Sequence, residues 1–171
     1  MNEVQELKYE TLNDRVPKPE FATEGAAAFD LTAQTPIAFY KGSDLIDKPG
    51  LLKHSLERNY LNLRNFERVI IGTGIKVEIP KGFHLQIVSR SGMTAKQGLI
   101  ILNSPGIIDS DYRGEIKLIV YNTTPFLNKI VLGSRVAQAI LMPNPQINLV
   151  AGEVLNNTER GEGGLGSTGT K

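Results

Sequence analysis

The sequence predicts an all-β domain, a sandwich or barrel of short strands, and three observations support that fold class. Glycine and proline are frequent, with 17 and 9 of the 171 residues. They fall between short apolar segments that are rich in β-branched side chains. These segments recur at the close spacing that is typical of sandwiches and barrels, and only one stretch of the chain has a helical pattern.

Five segments have the strand pattern, and each is bounded by a turn signal. The turn signals are the tripeptides Pro80-Lys81-Gly82 and Pro143-Asn144-Pro145, the stretch 122–125 and the dipeptide Gly133-Ser134. The predicted strands, in chain order, are 69–79, 83–88, 116–121, 136–142 and 147–151.

Residues 50–68 have a different pattern. Leu52, Leu56, Leu63 and Phe66 are interspersed with charged residues at near-helical spacing, which predicts one short helix. We expect this helix to lie inside a surface insertion at about 39–68. The chain length suits one domain, so we predict a β domain over 1–155 and a C-terminal arm over 156–171.

Composition excludes several classes of function. Lysine plus arginine total 19 against 18 for aspartate plus glutamate, a balance that argues against a dedicated nucleic-acid binder. Cysteine is absent and only two histidines are present, so oxygen ligands must hold any metal. The apolar stretches are far shorter than the roughly 20 residues of a membrane helix, and no apolar signal segment begins the chain. We therefore expect a cytoplasmic protein with no membrane association.

The C-terminal arm is rich in glycine and contains one large apolar side chain, Leu165. So little apolar surface cannot offset the entropy of ordering, and we expect the arm to be mobile without a ligand. Its glycines include the spacing G-x-G-x-x-G, but no strand and helix surround them, so a dinucleotide-binding turn is excluded. A frayed terminus and a phosphate lid, with charge from Arg160, both remain open.

Carboxylates occur at two places where apolar residues surround them. Asp30 lies among small apolar residues, so burial there requires hydrogen bonds, a cation or a metal. Asp109 directly follows two isoleucines in the segment 103–115, which has the pattern of a hairpin. Asp111 shares a face with Asp109 if the chain is extended. A structural cap for Asp30 and a solvated turn for the other two are the alternatives.

Two further polar positions are candidates for binding. Arg90, in the sequence SRSG, follows a predicted strand, although surface turns commonly carry such residues. Gln138 lies within a predicted strand, where an inward amide must find partners. A hydrogen-bonded core glutamine is the alternative there.

Together these segments, in this order, resemble the five motifs of the trimeric deoxyuridine triphosphate nucleotidohydrolase (dUTPase) family. The resemblance covers most of the chain except roughly 39–68, and the third and fifth motifs are specific. The matching stretches are 22–33 (ATEGAAAFDLTA), 89–102 (SRSGMTAKQGLIIL), 103–114 (NSPGIIDSDYRG), 133–140 (GSRVAQAI) and 160–169 (RGEGGLGSTG).

The resemblance implies a distorted jelly-roll homotrimer whose active sites lie at subunit interfaces and are completed by the arm of another subunit. It also implies magnesium-dependent hydrolysis of dUTP to dUMP and pyrophosphate. Asp109 matches the carboxylate that orients and deprotonates the attacking water. Asp30 matches the carboxylate that contacts magnesium through water, and Tyr112 matches the ring that packs against the deoxyribose.

The other matched positions bind the substrate in the family. The hairpin forms the uracil wall, and the strand after it contacts the base through its backbone. The second and fourth motifs contact the phosphates, and the arm closes over base and phosphates. The substrate-binding positions that the resemblance implies are Arg90, Ser91, Gly92, Asn103, Gly106, Ile107, Ile108, Tyr112, Lys117, Gln138, Arg160, Leu165, Gly166, Ser167 and Thr168.

The sequence departs from the family pattern at two matched positions. Leu165 stands where the family usually has an aromatic ring that stacks on the uracil, and Ala28 stands where glycine is common. A dCTP deaminase, which shares the fold, is an alternative enzyme, although the hairpin and the glycine-rich arm count against it. A nucleotide-sensing regulator with the insertion as its contact surface is an alternative of a different class.

Overall fold

The computed structural model describes residues 4–45, 55–152 and 156–163. Short antiparallel strands dominate these residues, together with a helix at Ser91–Gln97 and a helical turn at 55–58. The strands are β1 Lys8–Thr11, β2 Phe29–Thr32, β3 Thr35–Lys41, β4 Asp44–Leu45, β5 Tyr60–Leu63, β6 Glu67–Gly72, β7 Ile75–Glu78, β8 Phe83–Ser89, β9 Leu99–Ile101, β10 Gly106–Ile108, β11 Lys117–Asn122, β12 Asn128–Val131 and β13 Arg135–Pro143.

The strands of the described residues form two larger sheets and two hairpin-sized ones. One larger sheet has the order β10-β8-β13-β2 and the other the order β4-β3-β6-β11-β9. The pairs β1-β7 and β12-β5 form the smaller sheets. Alternate side chains of the strands are buried, for example Leu85 and Ile87 in β8 and Val69 and Ile71 in β6, and they join one apolar core. The period of two along each strand puts the intervening side chains outside that core.

The predicted strand 69–79 is two strands, β6 and β7. Gly74 separates them with a φ of +71°, a conformation that glycine adopts readily. The Thr73 hydroxyl donates a 2.8 Å hydrogen bond to the carbonyl of Ile116. The chain therefore changes direction in the middle of an apolar run that looks continuous in the sequence.

The strand predicted at 147–151 is wrong. Residues 147–151 have no regular secondary structure and pair with no strand of the described residues. Ile147, Leu149 and Val150 are exposed, with 75%, 93% and 85% of their surface accessible. The apolar pattern is that of a strand, but a strand forms only where a neighbour supplies backbone hydrogen bonds.

The helix predicted within 50–68 is limited to the turn at 55–58, and Leu52 lies outside the described residues. The chain leaves the helical conformation at Asn59, whose φ is +58°. It then forms β5, which pairs with β12 and buries Leu61 and Leu63 completely. This part of the insertion belongs to the core, so the expectation of a surface excursion is wrong for β5.

Within the same described residues, no helix is long and apolar enough to span a membrane.

Candidate active site

Asp30 binds two arginines at one end of the sheet β10-β8-β13-β2. Its Oδ1 accepts a 2.8 Å hydrogen bond from Arg90 Nε, and its Oδ2 accepts one of 3.1 Å from Arg135 Nη1. Arg90 Nη1 also donates to the carbonyl of Arg135 at 3.3 Å. Only 14% of the Asp30 side chain is exposed, against 59% for Arg135. The arrangement holds two guanidinium groups side by side, which suits recognition of phosphate oxygens.

Strand pairing brings these residues together. β13 lies between β2 and β8, so Gln138 is opposite both Asp30 and Val88. The Gln138 side chain is half-buried, and within the described residues its amide has no hydrogen bond to another protein group. Ser91 and Gly92 follow Arg90 directly in the first turn of the helix, and both are exposed. The predicted phosphate-contact positions Arg90, Ser91, Gly92 and Gln138 therefore lie at one end of the sheet.

The hairpin 103–108 begins at the same end. Ile101 N donates a 2.8 Å hydrogen bond to Ser89 Oγ, which fixes the start of the turn beside the end of β8. Gly106 is buried, and a Cβ at this position would lie 3.1 Å from Nδ2 of Asn103. The absence of a side chain at Gly106 thus lets the Asn103 amide approach the backbone of β10.

Tyr112 is held against the loop that follows β10. Its hydroxyl donates a 3.0 Å hydrogen bond to the carbonyl of Glu115, and 40% of its surface is exposed. A Cβ at Gly114 would overlap the tyrosine ring, so glycine is needed for this packing. The Glu115 carboxylate in turn accepts a 2.7 Å hydrogen bond from Gly74 N. The ring is therefore fixed to the body of the domain through two successive contacts.

Two expectations about the aspartates of the hairpin need correction. Asp109 and Asp111 do not share an extended face, because Tyr112 N donates to the carbonyl of Asp109 and closes a turn over 109–112. Asp109 is exposed in this chain rather than enclosed by the two isoleucines before it. Ile107 is 51% exposed, since β10 is an edge strand and this side chain points away from the core. Ile108 is half-buried.

Asp109 and Arg90 of one chain lie at opposite ends of β8. Ile108, which precedes Asp109, is opposite Leu85, whereas Arg90 follows the last residue of β8, Ser89. Ser89 is four positions after Leu85, which corresponds to about 13 Å along a strand. The carboxylate and the guanidinium therefore face different ends of the sheet.

The remaining predicted positions are only partly described. Lys117 begins β11 opposite Gly72 and is exposed. Arg160 donates a 2.8 Å hydrogen bond from Nε to the carbonyl of Gly163, so it contacts its own turn rather than Asp30 or Arg90. The other predicted arm positions lie outside the described residues, namely Leu165, Gly166, Ser167 and Thr168.

Sequence reasoning missed two residues of the candidate site, one beside Asp30 and one beside Tyr112. Arg135 is the second arginine on Asp30, and its only sequence signal is that it stands three positions before Gln138. Glu115 anchors the tyrosine loop, and nothing in its local pattern distinguishes it from a surface glutamate. Both act through contacts between segments that are distant along the chain.

A magnesium ion fits this site only if a phosphate ligand brings it. The described residues contain no group of three or more His, Cys, Asp or Glu side chains that could hold a metal. Magnesium commonly keeps several waters and binds through one or two carboxylates plus substrate phosphates. The Asp30 carboxylate accepts from two arginines, and a carboxylate has about four acceptor positions. Asp30 therefore retains acceptor positions for a metal-bound water.

Comparison with known proteins identifies the family. The dUTPase family model matches residues 55–169. A deoxyuridine 5'-triphosphate nucleotidohydrolase of Nautilia profundicola is 40% identical over 163 residues, which are 95% of this chain and 98% of that protein. The chain belongs to the dUTPase family. A second relative of the same description, from Hydrogenobaculum sp., is 37% identical and covers 96% of this chain and 99% of its own length.

Solved dUTPase structures have the same fold. A mutant dUTPase of Staphylococcus bacteriophage 80alpha, solved with dUpNHpp, matches with a TM-score of 0.74 and 22% identity, over 97% of this chain and 99% of that one. A mutant dUTPase of phage phi11 of S. aureus, whose structure includes a structural Mg(II) ion, matches with a TM-score of 0.66 and 19% identity, over 88% and 98% of the two chains. The predicted all-β fold class and the resemblance to dUTPases are confirmed.

Proposed function

We propose that this dUTPase family member hydrolyses dUTP to dUMP and pyrophosphate, with Asp109 as the general base. The observation that carries the proposal is the Asp30 centre, in which one carboxylate holds Arg90 and Arg135 beside Gln138. Membership of the family supplies the substrate class. The cytoplasmic location expected from the composition stays a prediction.

The reaction needs a positioned water and a stabilised leaving group. The Asp109 carboxylate accepts a proton from the water as its oxygen attacks the α-phosphorus. A new P–O bond forms to the water oxygen, and the bond between the α-phosphorus and the bridging oxygen breaks. That oxygen leaves on pyrophosphate, whose negative charge the guanidinium of Arg90 and the amide of Gln138 stabilise. No covalent intermediate with the protein is required.

Magnesium is the proposed cofactor. When bound, it neutralises phosphate charge and orients the triphosphate for in-line attack. Asp30 would contact it through water, while both arginines stay on the same carboxylate. In this proposal the Asp30 carboxylate binds the two arginines directly and magnesium through water, and both kinds of cation face the phosphates.

The hairpin is proposed to select the base and the sugar. Backbone groups of Gly106, Ile107 and Ile108, with Asn103 and backbone at Lys117, read the edge of uracil. A site built on such hydrogen bonds rejects a base that leaves buried polar groups unpaired, by about 10⁴-fold or more. The Tyr112 ring packs on the deoxyribose and excludes a 2'-hydroxyl, which suits a ring fixed by its own hydrogen bond to Glu115.

A homotrimer with shared sites is the proposed assembly. Asp109 follows Ile108, which is opposite Leu85, and Arg90 follows Ser89. Leu85 and Ser89 alone are about 13 Å apart along β8, while a general base must be within hydrogen-bond reach of the water it activates. A symmetric assembly solves this by facing the Asp109 end of one subunit toward the Arg90 end of another. The arm over 156–171, including Arg160, Leu165, Gly166, Ser167 and Thr168, is proposed to close each site from a further subunit.

The first experiment is pyrophosphate release from dUTP, dCTP, dTTP and UTP, with magnesium and with chelator. We expect magnesium-dependent release from dUTP and little from the other three. Binding of dUTP without release would overturn the proposal in favour of a nucleotide-sensing role. Formation of a uridine nucleotide from dCTP would overturn it in favour of a deaminase.

A further inference from the structure

A cavity of about 420 Å³ lies between the helix Ser91–Gln97 and strand β12, beside the Asp30 centre. Small-molecule sites commonly have volumes of about 300–1,000 Å³. Among the described residues that line this cavity, four are basic and none is acidic. We call it the basic cavity and define it by those four residues, which are Arg90, Lys96, Lys129 and Arg135.

The walls of the basic cavity are fixed by the fold. Asn128 Nδ2 donates a 3.0 Å hydrogen bond to the carbonyl of Gln97, which joins the start of β12 to the end of the helix. Met93, Ile130 and Val136 belong to the buried core and form the apolar floor. The two lysines therefore stand on opposite walls whose separation is set by a hydrogen bond and by core packing.

Lys96 and Lys129 have no carboxylate partner in the part of the chain that the structure describes. Among the described residues neither Lys96 nor Lys129 forms an ion pair. Arg90 and Arg135 share the single carboxylate of Asp30. The positive charge around the basic cavity therefore exceeds the negative charge of Asp30, and an anion with several negative charges complements it.

The insertion positions one of these lysines. Lys129 Nζ lies 3.8 Å from the ring centroid of Tyr60, a cation–π distance. Tyr60 begins β5, and β5 pairs with β12 so that Lys129 is opposite Asn62. The segment 39–68 thus contributes the ring on which Lys129 rests, a role that its sequence pattern does not indicate.

We propose that the basic cavity is an oligophosphate subsite, in which Lys96 and Lys129 bind inorganic pyrophosphate next to Arg90. The cavity shares Arg90, Gly92 and Arg135 with the proposed phosphate end of the active site and extends away from it. Arg90 and both lysines line the same cavity, whose described lining contains no acidic residue. The proposal rests on the proposed function only for the source of this anion, because binding of added pyrophosphate is independent of turnover.

The test measures the dissociation constant of inorganic pyrophosphate by calorimetry, on the full-length protein without added metal. We expect Lys96→Gln and Lys129→Gln each to weaken binding by about fivefold, a typical effect for one partly exposed ion pair. The affinity of the wild type should also fall more steeply with salt than that of the double variant, since salt screens exposed charges. Lys81→Gln is the matched control, because Lys81 is exposed in the turn before β8, at the other end of that strand from Arg90.

Tyr60 gives a second, graded test of positioning. Tyr60→Leu removes the ring and should weaken pyrophosphate binding by about threefold, whereas Tyr60→Phe keeps the ring and should bind as the wild type does. Thermal unfolding of each variant identifies any that fails to fold. Equal affinities of the wild type, Lys96→Gln and Lys129→Gln would overturn the proposal, as would absence of pyrophosphate binding by the wild type. Lysine-dependent binding in a protein that does not hydrolyse dUTP would instead sustain this subsite and overturn the proposed hydrolysis.

Discussion

Asp30 shows at the scale of a single residue how the fold decides among chemical options. The sequence requires that a carboxylate among small apolar residues have hydrogen bonds, a cation or a metal. The structure supplies two cations, because β13 brings Arg135 to one oxygen and the end of β8 brings Arg90 to the other. The carboxylate therefore holds both arginines at this end of the sheet through contacts within the chain.

Asp109 is the residue whose role is easiest to separate from folding, because it is exposed in a turn. We expect Asp109→Asn to retain binding of dUTP and to lower kcat by at least about 10²-fold, since the amide cannot act as a base. Single-turnover kinetics and equilibrium binding measure the two properties separately. Asp111→Asn, in the same turn, is the control and should stay near the wild-type rate. A wild-type rate for Asp109→Asn would remove this residue from its proposed role.

Leu165 is one of the two matched positions at which this chain departs from the family pattern. Leucine covers a base with apolar area, but an aromatic ring typically adds about 0.5–1.5 kcal/mol beyond burial. We expect Leu165→Phe to lower KM for dUTP by about two- to tenfold, measured by steady-state pyrophosphate release. Leu165→Ala is the control and should raise KM. An unchanged KM and kcat for Leu165→Phe would contradict a stacking position in the arm.

At the scale of elements, short apolar segments with a strand pattern led to both correct and incorrect strand predictions. Segments 83–88 and 116–121 became β8 and β11, because each lies between neighbours that bond to both of its edges. The segment 147–151 has equally apolar residues and no neighbour among the described residues. Strand propensity measures fit to a pleated, half-buried surface, and the sequence does not state whether that surface is present.

The turn after the helix Ser91–Gln97 depends on Gly98. Its φ is +61°, and a Cβ there would overlap the side chain of Thr124. We expect Gly98→Ala to lower the free energy of unfolding by more than the about 1–2 kcal/mol that a left-handed conformation costs. Urea unfolding at fixed protein concentration measures the change.

Gly82→Ala is the matched control for this prediction. Gly82 has a φ of +84°, but no atom lies within 4 Å of the position of its Cβ. Gly82→Ala should therefore lower the free energy of unfolding only by the cost of the left-handed backbone conformation, without an overlap of side chains. Equal losses of stability in the two variants would show that packing against Thr124 contributes nothing.

At the scale of the whole molecule, the proposed shared site combines Asp109 of one chain with Arg90 of another. We expect Asp109→Asn and Arg90→Gln to be inactive alone, and oligomers assembled from a mixture of the two to regain activity. The physical reason is that some sites then combine an intact Asp109 from one subunit with an intact Arg90 from another. Pyrophosphate release after co-refolding measures the recovery. A mixture as inactive as its components would place both residues of a site in one chain.

Deletion of residues 158–171 tests the arm at the same scale. The described part of the arm, 156–163, is mostly exposed and contacts the phosphate end of its own chain through none of its hydrogen bonds. We expect the shortened protein to keep its oligomeric state and its base pocket and to lose turnover. Size-exclusion chromatography with light scattering and single-turnover kinetics measure the two properties. Dissociation into monomers would show that the arm is structural.

The sequence by itself determined the all-β class, the order of the motifs and the identity of the polar residues. Local patterns suffice for these, because side-chain period and turn chemistry act between near neighbours. Only the tertiary structure decided that Arg135 joins Asp30, that β5 of the insertion enters the core, and that Asp109 and Arg90 lie at opposite ends of β8. These facts depend on strand register between segments that are distant along the chain, and no local pattern contains that register.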